Sequence, residues 1–484
     1  MQISKKQTKI VATLGPSINS KAILEEMMIA GVNVFRINFS HAEYDDVLKT
    51  VKIIRELSDT KGYHIGILGD LQGPKLRVGK MNEGVHLSVG DEFTFTTEQC
   101  EGTQQKAFMT YQNFPKDVKA GEQVLVDDGK LLFEVLTTDQ SKNVVTKVLR
   151  GGALKSKKGV NLPNTNISLP ALTEKDKKDA DFCCKIEVDW IALSFVRNAE
   201  DINELRALIE KSSEHQIPII AKIEKPEALR NIDKIIKCSN GVMVARGDLG
   251  VEIPMQKVPL IQKKIVRKAK EAAIPVIIAT QMMESMINHE VPTRAEINDV
   301  ANSVMDGADA VMLSGETSVG LFPVEVIKQV RKVIESVENS PLIKIPSEYI
   351  KCVDDRFVTK SICHSAVLIA NSTEAELITT ITNTGFTAFH ISSWRPASNI
   401  LVFSSNNRIL SMLNLLWGVK GIYYDKFVST DETIKDINNI AYEKGYIENN
   451  DFVVNVTSMP VIERGMANTI RITHYKNDAQ SSDS

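Results

Sequence analysis

The chain lacks several features that would place it at once. No apolar run approaches the ~18 uninterrupted residues that a membrane-spanning helix needs, and Met1-Gln2-Ile3-Ser4-Lys5-Lys6 contains no apolar stretch of the signal-peptide kind. No membrane partner is expected. Neither sign of charge is in excess: 58 Lys+Arg face 61 Asp+Glu, a net charge of −3. That balance excludes a general binder of nucleic acid or anionic lipid, so no nucleic-acid partner is expected either. Cysteine is scarce, six residues at Cys100, Cys183, Cys184, Cys238, Cys352 and Cys363 with no Cys-x-x-Cys pair. They read as buried free thiols in a reducing cytoplasm, not as a disulfide framework. Aromatics reach only 6%, yet 43% hydrophobic and 25% charged residues exclude wholesale disorder. A length of 484 residues allows about three domains at roughly 150 residues each.

What is present is a rhythm. Short β-branched runs ending in polar residues recur at Thr8–Gly15, Asn33–Asn38, Ile65–Asp70, Asp189–Ser194, Pro218–Glu224, Gly241–Gly247, Pro275–Gln281 and Ala310–Glu316. Amphipathic stretches such as Ala199–Ser212, Lys257–Ala273, Arg294–Met305 and Pro323–Glu338 lie between them. Near-continuous apolar strands alternating with helices predict a parallel sheet covered on both faces. Eight such units predict an α/β fold of the closed (β/α)8 TIM-barrel class. The open doubly wound alternative would lead one to look for a G-x-G-x-x-G or Gly-Lys-Ser/Thr loop, and neither is present.

The rhythm breaks after the third strand. From Pro74 to Pro170 the chain is Gly-punctuated and alternating, as in Val85–Val89, Glu92–Phe95, Val124–Val126, Leu131–Val135 and Val144–Val148. This predicts a small all-β lid (74–170) inserted at the catalytic end of a barrel built from 1–73 and 171–340. Two prolines within Asn339–Ser347 predict a linker, and βα alternation resumes in a C-terminal α/β domain (341–484) with strands at Glu376–Thr382, Asn399–Ser404, Gly421–Tyr424, Phe452–Thr457 and Thr469–His474. Asp478–Ser484 is expected to be a frayed tail.

Polar residues at the C-terminal ends of barrel strands read as catalytic. Here those ends carry Arg36 and Asn38, Asp70, Lys222 and Glu224, Arg246-Gly247-Asp248, Thr280 and Gln281, and Ser314 to Thr317. Carboxylates on neighbouring strands with few other anions nearby suit Mg²⁺ or Mn²⁺ with positions left for water and a substrate phosphate. Lys222 and Glu224 are two apart on one strand, so both face the mouth. A buried structural ion pair is the plain alternative for one strand end, and a minority reading for six.

These residues resemble the pyruvate kinase family. The resemblance is carried by Ala279–Met286, Ile191–Arg197, Lys222-Ile223-Glu224, Val244–Gly250, Met312–Thr317, Arg36–His41 and Lys157–Pro163, spread across the chain. It implies phosphoryl transfer from phosphoenolpyruvate to ADP, giving pyruvate and ATP. It implies that Glu224 and Asp248 hold the divalent ion, that Lys222 and Arg36 bind the phosphoryl group, and that Gly247, Asp248, Thr280 and Ser194 contact the substrate. It further implies that Thr280, or Ser314 and Glu316 through water, serve enolpyruvate protonation, and that Asn38, His41, Arg77 and Lys158 contact the nucleotide. A homotetramer is implied as well.

Two features stand out against that family pattern. Many members hold K⁺ with oxygens equivalent to Asn38, Ser40, Asp70 and the Leu71 carbonyl. Here the hinge reads Asp70-Leu71-Gln72-Gly73-Pro74-Lys75, with Lys75 where those members carry an acidic residue. The expectation is that the Lys75 ammonium supplies the charge and that K⁺ is not required. The second feature is the hydroxyl- and Gly-rich turn Thr382-Asn383-Thr384-Gly385 with Thr387. It is expected to bind a phosphorylated effector, with Arg464–Asn468 completing the site, whereas simple helix capping is the structural alternative. Two rival functions are a Mg²⁺-dependent barrel aldolase or lyase acting on pyruvate-type substrates, which would not need a nucleotide lid, and a non-catalytic metabolite sensor, which would be expected to have lost Lys222, Glu224, Asp248 or Thr280.

Overall fold

A computed structural model describes residues 6–340, 356–426, 429–459 and 466–477. Eight strands close into a barrel: β1 (Lys9–Thr13), β2 (Val34–Asn38), β3 (Gly66–Asp70), β4 (Trp190–Leu193), β5 (Ile219–Ile223), β6 (Gly241–Ala245), β7 (Val276–Ala279) and β8 (Ala310–Leu313). All neighbours pair in parallel, and β1 returns to β8 with Lys9 opposite Ala310. Each strand falls inside a run expected from the sequence. The helices Ala199–Ser212, Arg294–Met305 and Pro323–Glu338 have the expected ends, and the fourth runs Val258–Glu271.

Alternation along each strand sorts the core into two shells. Ile10, Phe35, Ile37, Ile67, Ile191, Leu193 and Ile219 face outward into a layer shared with the helices. Val11, Val34, Leu68, Trp190, Ile220, Met243 and Ile277 face inward. That inner cluster does not stop at the barrel floor. It runs on into Ile378, Ile400, Leu413, Leu415, Trp417 and Val419 of the C-terminal domain. The Trp190 Nε1–H donates to the Met412 carbonyl at 3.0 Å across that junction. The C-terminal domain thus forms the floor of the barrel's inner core.

That domain is a five-stranded sheet ordered β11-β10-β9-β12-β13, with β9 (Leu377–Ile381), β10 (Asn399–Ser404), β11 (Val419–Tyr423), β12 (Phe452–Thr457) and β13 (Thr469–His474). The expected alternation ends at β12, because β13 pairs antiparallel to it. The prolines of the expected linker and the expected tail lie outside the described residues. The segment between β3 and β4 holds an antiparallel-rich six-stranded sheet around Phe93, Phe95, Phe114 and Phe133. Short strands at Lys106–Phe108, Gly152–Ala153 and Val160–Asn161 add to those read from the sequence.

One carboxylate ties the two ends of this inserted segment together. Asp176 is fully buried; its Oδ1 accepts the Gly73 N–H at 3.0 Å, and its Oδ2 accepts the Thr173 N–H at 2.9 Å and hydroxyl at 2.5 Å. Gly73 has φ +70°, and a Cβ there would sit 2.6 Å from the Phe195 ring, so both backbone and space require glycine. Asp176→Ala would orphan both N–H groups and remove the helix's capping box. We expect a local loss of about 2 kcal/mol, read as faster amide exchange at Gly73 and Thr173.

Candidate active site

Four side chains meet at the C-terminal mouth because each stands two residues beyond an inward core position: Thr13 after Val11, Arg36 after Val34, Asp70 after Leu68 and Lys222 after Ile220. The Arg36 Nε donates to Asp70 Oδ2 at 2.7 Å, with Nη2 2.6 Å from the same oxygen, and its Nη1 donates to the Thr13 hydroxyl at 3.0 Å. The Lys222 Nζ lies 3.3 Å from Asp70 Oδ1 and 3.0 Å from Glu224 Oε1, and donates to the Ser194 hydroxyl at 2.7 Å. The Ser194 hydroxyl in turn donates to the Leu71 carbonyl at 2.6 Å. Phe195, at φ +56°, aims its N–H at Glu224 Oε2, 2.9 Å away.

The charges are strongly coupled. Burial pushes Asp70 up, but Lys222 and Arg36 outweigh it and hold the carboxyl below its ordinary value. Burial works against the Lys222 ammonium, and Asp70 and Glu224 reverse that, so it stays charged. Glu224 goes the other way: burial and the Asp248 charge raise it in spite of Lys222. A fully buried carboxylate with a second acidic side chain beside it forms a place where a divalent cation fits. Among the described residues there is no cluster of three or more His, Cys, Asp or Glu side chains suited to a metal. A two-carboxylate site of this kind leaves coordination positions open. Glu224 and Asp248 are the residues that would hold the ion.

The next wall is built on Arg246. Its guanidinium pairs with Asp299 at 2.6 Å and donates to the carbonyls of Thr280 at 2.7 Å and Ala279 at 3.4 Å. Thr280 and Gln281 both have positive φ, +70° and +56°, a costly pair of conformations for non-glycine residues. Arg246 holds the first of them. The Thr280 hydroxyl accepts the Gly247 N–H at 2.7 Å and donates to the Ala279 carbonyl at 2.6 Å. The Gly247 N–H, expected to reach substrate, is therefore engaged by Thr280 here. A Cβ on Gly247 would lie 3.3 Å from that hydroxyl. Glu316, expected near a water relay, is buried with both oxygens taken: Oε1 by the Met283 N–H at 3.1 Å and Oε2 by the Ser314 N–H at 2.7 Å. It braces the β7 and β8 loops.

The inserted β segment and the barrel share a cleft over this mouth, lined by Lys75, Asp128, Gly159, Asn161, Arg197, Lys225 and Asp248. Arg77 donates to the Lys157 carbonyl at 2.9 Å and Lys158 pairs with Asp127 at 2.8 Å, both within that segment. Asn38 lies at the β2 end, its Oδ1 accepting the Ser40 N–H at 3.2 Å, and His41 is exposed beside it. The Lys75 side chain is exposed on the wall of the same cleft and runs beside Gly159, its Cε 3.8 Å from a Cβ built there; among the described residues it forms no ion pair with Asp70. Arg36 and Lys222 are the cations paired with Asp70. Among the described residues the buried Asp70 Oδ1 has Lys222 Nζ, 3.3 Å away, as its charge partner and no closer donor.

In the C-terminal domain the turn after β9 precedes the helix Phe386–Ser393. Gly385 has φ +86° and donates its N–H to the Thr382 hydroxyl at 2.8 Å, while the Phe386 N–H reaches the Thr384 hydroxyl at 3.5 Å. Asn383 and Thr384 are exposed, whereas Thr382 and Thr387 are buried. Two hydroxyls thus do capping work. Arg464 and Gly465 lie outside the described residues. Among the described residues no helix is long and apolar enough to cross a membrane.

Sequence reasoning placed Arg246 at a strand end but not its partner Asp299, and it missed Thr13 and the Lys225–Glu252 pair, for which one sequence carries no signal.

Comparison with known proteins agrees with this geometry. Residues 5–327 match the family described as pyruvate kinase, barrel domain, and residues 360–473 that described as pyruvate kinase, alpha/beta domain. Pyruvate kinase 2 of Synechocystis sp. is 41% identical over 453 residues, 93% of this chain and 76% of that protein. The pyruvate kinase of Mycobacterium tuberculosis is 38% identical over 471 residues, 97% of this chain and 98% of its own. The crystal structure of a pyruvate kinase from Cryptosporidium parvum superposes with a TM-score of 0.89 at 35% identity, covering 97% of this chain and 96% of that one.

Proposed function

The chain belongs to the pyruvate kinase family, a phosphotransferase of the kinase type, and from that premise we propose that it moves the phosphoryl group of phosphoenolpyruvate to ADP, forming pyruvate and ATP. The observation that carries this reading is the Arg36–Asp70–Lys222–Glu224 cluster at the barrel mouth, with Asp248 beside it. A phosphoryl group in flight spreads negative charge over its equatorial oxygens. Lys222 meets that charge as a fixed ammonium, oriented by Ser194, Asp70 and Glu224. Arg36 offers a planar fork, braced through Asp70 and Thr13, that suits a phosphate better than a lysine would. A Mg²⁺ or Mn²⁺ held by Glu224 and Asp248 supplies Lewis-acid neutralisation of substrate oxygens. Thr280, or Ser314 and Glu316 through water, would serve the protonation of enolpyruvate. Asn38, His41, Arg77 and Lys158 would contact ADP, and closure of the inserted domain would bring the last two inward.

Three finer assignments complete the proposal. The protein works without K⁺, since Leu71 and Gln72 bring no hydroxyl to the hinge and Lys75 carries its charge on a flexible stem beside the same cleft. A phosphorylated effector binds at Thr382, Asn383, Thr384, Gly385 and Thr387, where exposed polar groups meet a helix N-terminus and a positive-φ glycine. The assembly is a cytoplasmic homotetramer; among the described residues Cys100, Cys183, Cys184, Cys238 and Cys363 are free thiols, which agrees with a reducing compartment.

One assay series tests these together. With phosphoenolpyruvate, ADP and Mg²⁺ we expect pyruvate release strictly dependent on ADP; release without ADP would favour the lyase. Replacing K⁺ by tetramethylammonium is expected to change turnover less than about twofold, and a large loss restored by K⁺ would overturn the cation assignment. Sugar phosphates or AMP are expected to shift the substrate saturation curve, and curves that superpose with every one of them would leave the turn as helix capping.

A further inference from the structure

A polar contact joins the lid to the barrel beside the two carboxylates, and neither the cluster at Lys222 nor the nucleotide contacts accounts for it. Glu252 closes the short helix Arg246–Glu252 that carries Asp248 one turn earlier, on the same face. Its side chain is almost fully buried, and its Oε1 accepts both the Lys225 Nζ at 2.5 Å and the Asn161 Nδ2 at 2.8 Å. Its Oε2 is buried without a hydrogen-bond partner among the described residues. Lys225 directly follows Glu224, and its ammonium also lies 5.9 Å from the centre of the Phe195 ring, whose backbone N–H holds Glu224. Asn161 ends the lid strand Val160–Asn161, and lid residue Gly129 faces Val251 on the same helix, a Cβ there lying 3.9 Å from Val251 Cγ1.

We infer that Asn161, Glu252 and Lys225 form a latch through which the position of the lid sets the disposition of Glu224 and Asp248. The inference rests on the reading of those two carboxylates as divalent-ion ligands. The three latch residues are argued to act on the ion through Glu224 and Asp248; they are positioning residues. Among the described residues Glu252 is held by two donors, one from each body. When the lid withdraws, Asn161 leaves, and a buried carboxylate with one oxygen already unpaired keeps Lys225 alone. The carboxylate and the ammonium then readjust toward each other. The first is fixed to the helix of Asp248 and the second is one peptide bond from Glu224, so both ligands move with the latch. Linkage runs in both directions: an ion that prefers the latched arrangement must itself favour the closed lid.

The test uses the full chain with Mn²⁺ as probe. Free Mn²⁺ is measured by paramagnetic resonance, and amide exchange is followed at Val160 and Asn161. In the wild type, Mn²⁺ is expected to slow exchange there. Asn161→Ala is expected to weaken Mn²⁺ binding roughly three- to tenfold and to abolish the Mn²⁺-dependent slowing. Glu252→Gln keeps an acceptor for Asn161 but discards the charge that pairs with Lys225, and is expected to weaken Mn²⁺ binding about tenfold. A merely structural contact would raise exchange in Asn161→Ala equally with and without Mn²⁺ and leave the Mn²⁺ affinity unchanged; that pattern overturns the latch. Wild-type turnover of phosphoenolpyruvate with ADP, measured on the same preparation, separates the two levels. A wild type that turns over beside an Asn161→Ala variant with unchanged Mn²⁺ affinity refutes the latch alone. A wild type that neither binds Mn²⁺ nor turns over refutes the underlying reading.

Discussion

Lys222→Met is expected to lower kcat by roughly a thousandfold, about 4 kcal/mol of transition-state stabilisation. The substitution keeps the length and apolar stem of the side chain and removes only the ammonium, which lies within 3.3 Å of Asp70 and Glu224 and is hydrogen-bonded by Ser194. Its loss acts twice. The transferring phosphoryl group loses a positive charge fixed in place before the reaction begins. Asp70 and Glu224 also lose a shared counter-ion in a buried place, which raises the cost of keeping both ionised. Lys222→Arg is the informative companion. It restores the charge but cannot fit a planar fork into the space among Ser194, Asp70 and Glu224, so we expect recovery of less than about a tenth of wild-type turnover. Single-turnover measurements with enzyme in excess, on variants whose thermal unfolding is checked in parallel, decide the matter. Wild-type rates in the Met variant would remove Lys222 from its assigned role.

Glu224→Gln is expected to weaken Mn²⁺ binding by at least about a hundredfold and to reduce turnover at ordinary Mg²⁺ by a similar factor. The amide preserves the shape of the carboxylate, and its oxygen can still accept the Phe195 N–H. The substitution removes the burial cost and the Asp248 repulsion that together raise the Glu224 proton affinity in spite of Lys222, whose ion pair is lost with them, so the folded protein without metal should be no less stable than wild type. A stability gain accompanied by a loss of metal binding is the signature of a site whose carboxylates are placed together for a cation and not for each other. Paired measurements of thermal unfolding and Mn²⁺ affinity report both halves. An unchanged Mn²⁺ affinity would place the ion elsewhere.

The eight barrel strands were legible because a parallel strand buried on both faces must be nearly all apolar, and the polar residue ending each run marked the mouth. Arg36, Lys222 and Glu224 could be aimed inward by counting in twos. The lid strands Lys106–Phe108, Gly152–Ala153 and Val160–Asn161 were not legible: two or three residues carry no period. Nor could the sequence show that Arg36 is braced by Thr13 and Asp70, or Arg246 by Asp299, since barrel closure and helix packing bring those partners together across 23, 34 and 53 residues. Lys75 teaches a different lesson. Its place in the family's hinge pattern suggested a charge at the cation pocket, and the structure sets its side chain beside Gly159 with, among the described residues, no ion pair to Asp70.

The inner cluster that passes from Trp190, Ile220 and Met243 into Leu413, Leu415 and Trp417 makes the barrel and the C-terminal domain poor candidates for separate lives. A chain ending at residue 340 would uncover the apolar base of its own barrel and leave the Trp190 indole without the Met412 carbonyl. Such a fragment is expected to aggregate or unfold, whereas removing 74–170 would cut a chain whose ends are already pinned side by side at Asp176. The inserted domain is the detachable part, and the terminal one is structurally the barrel's own foundation.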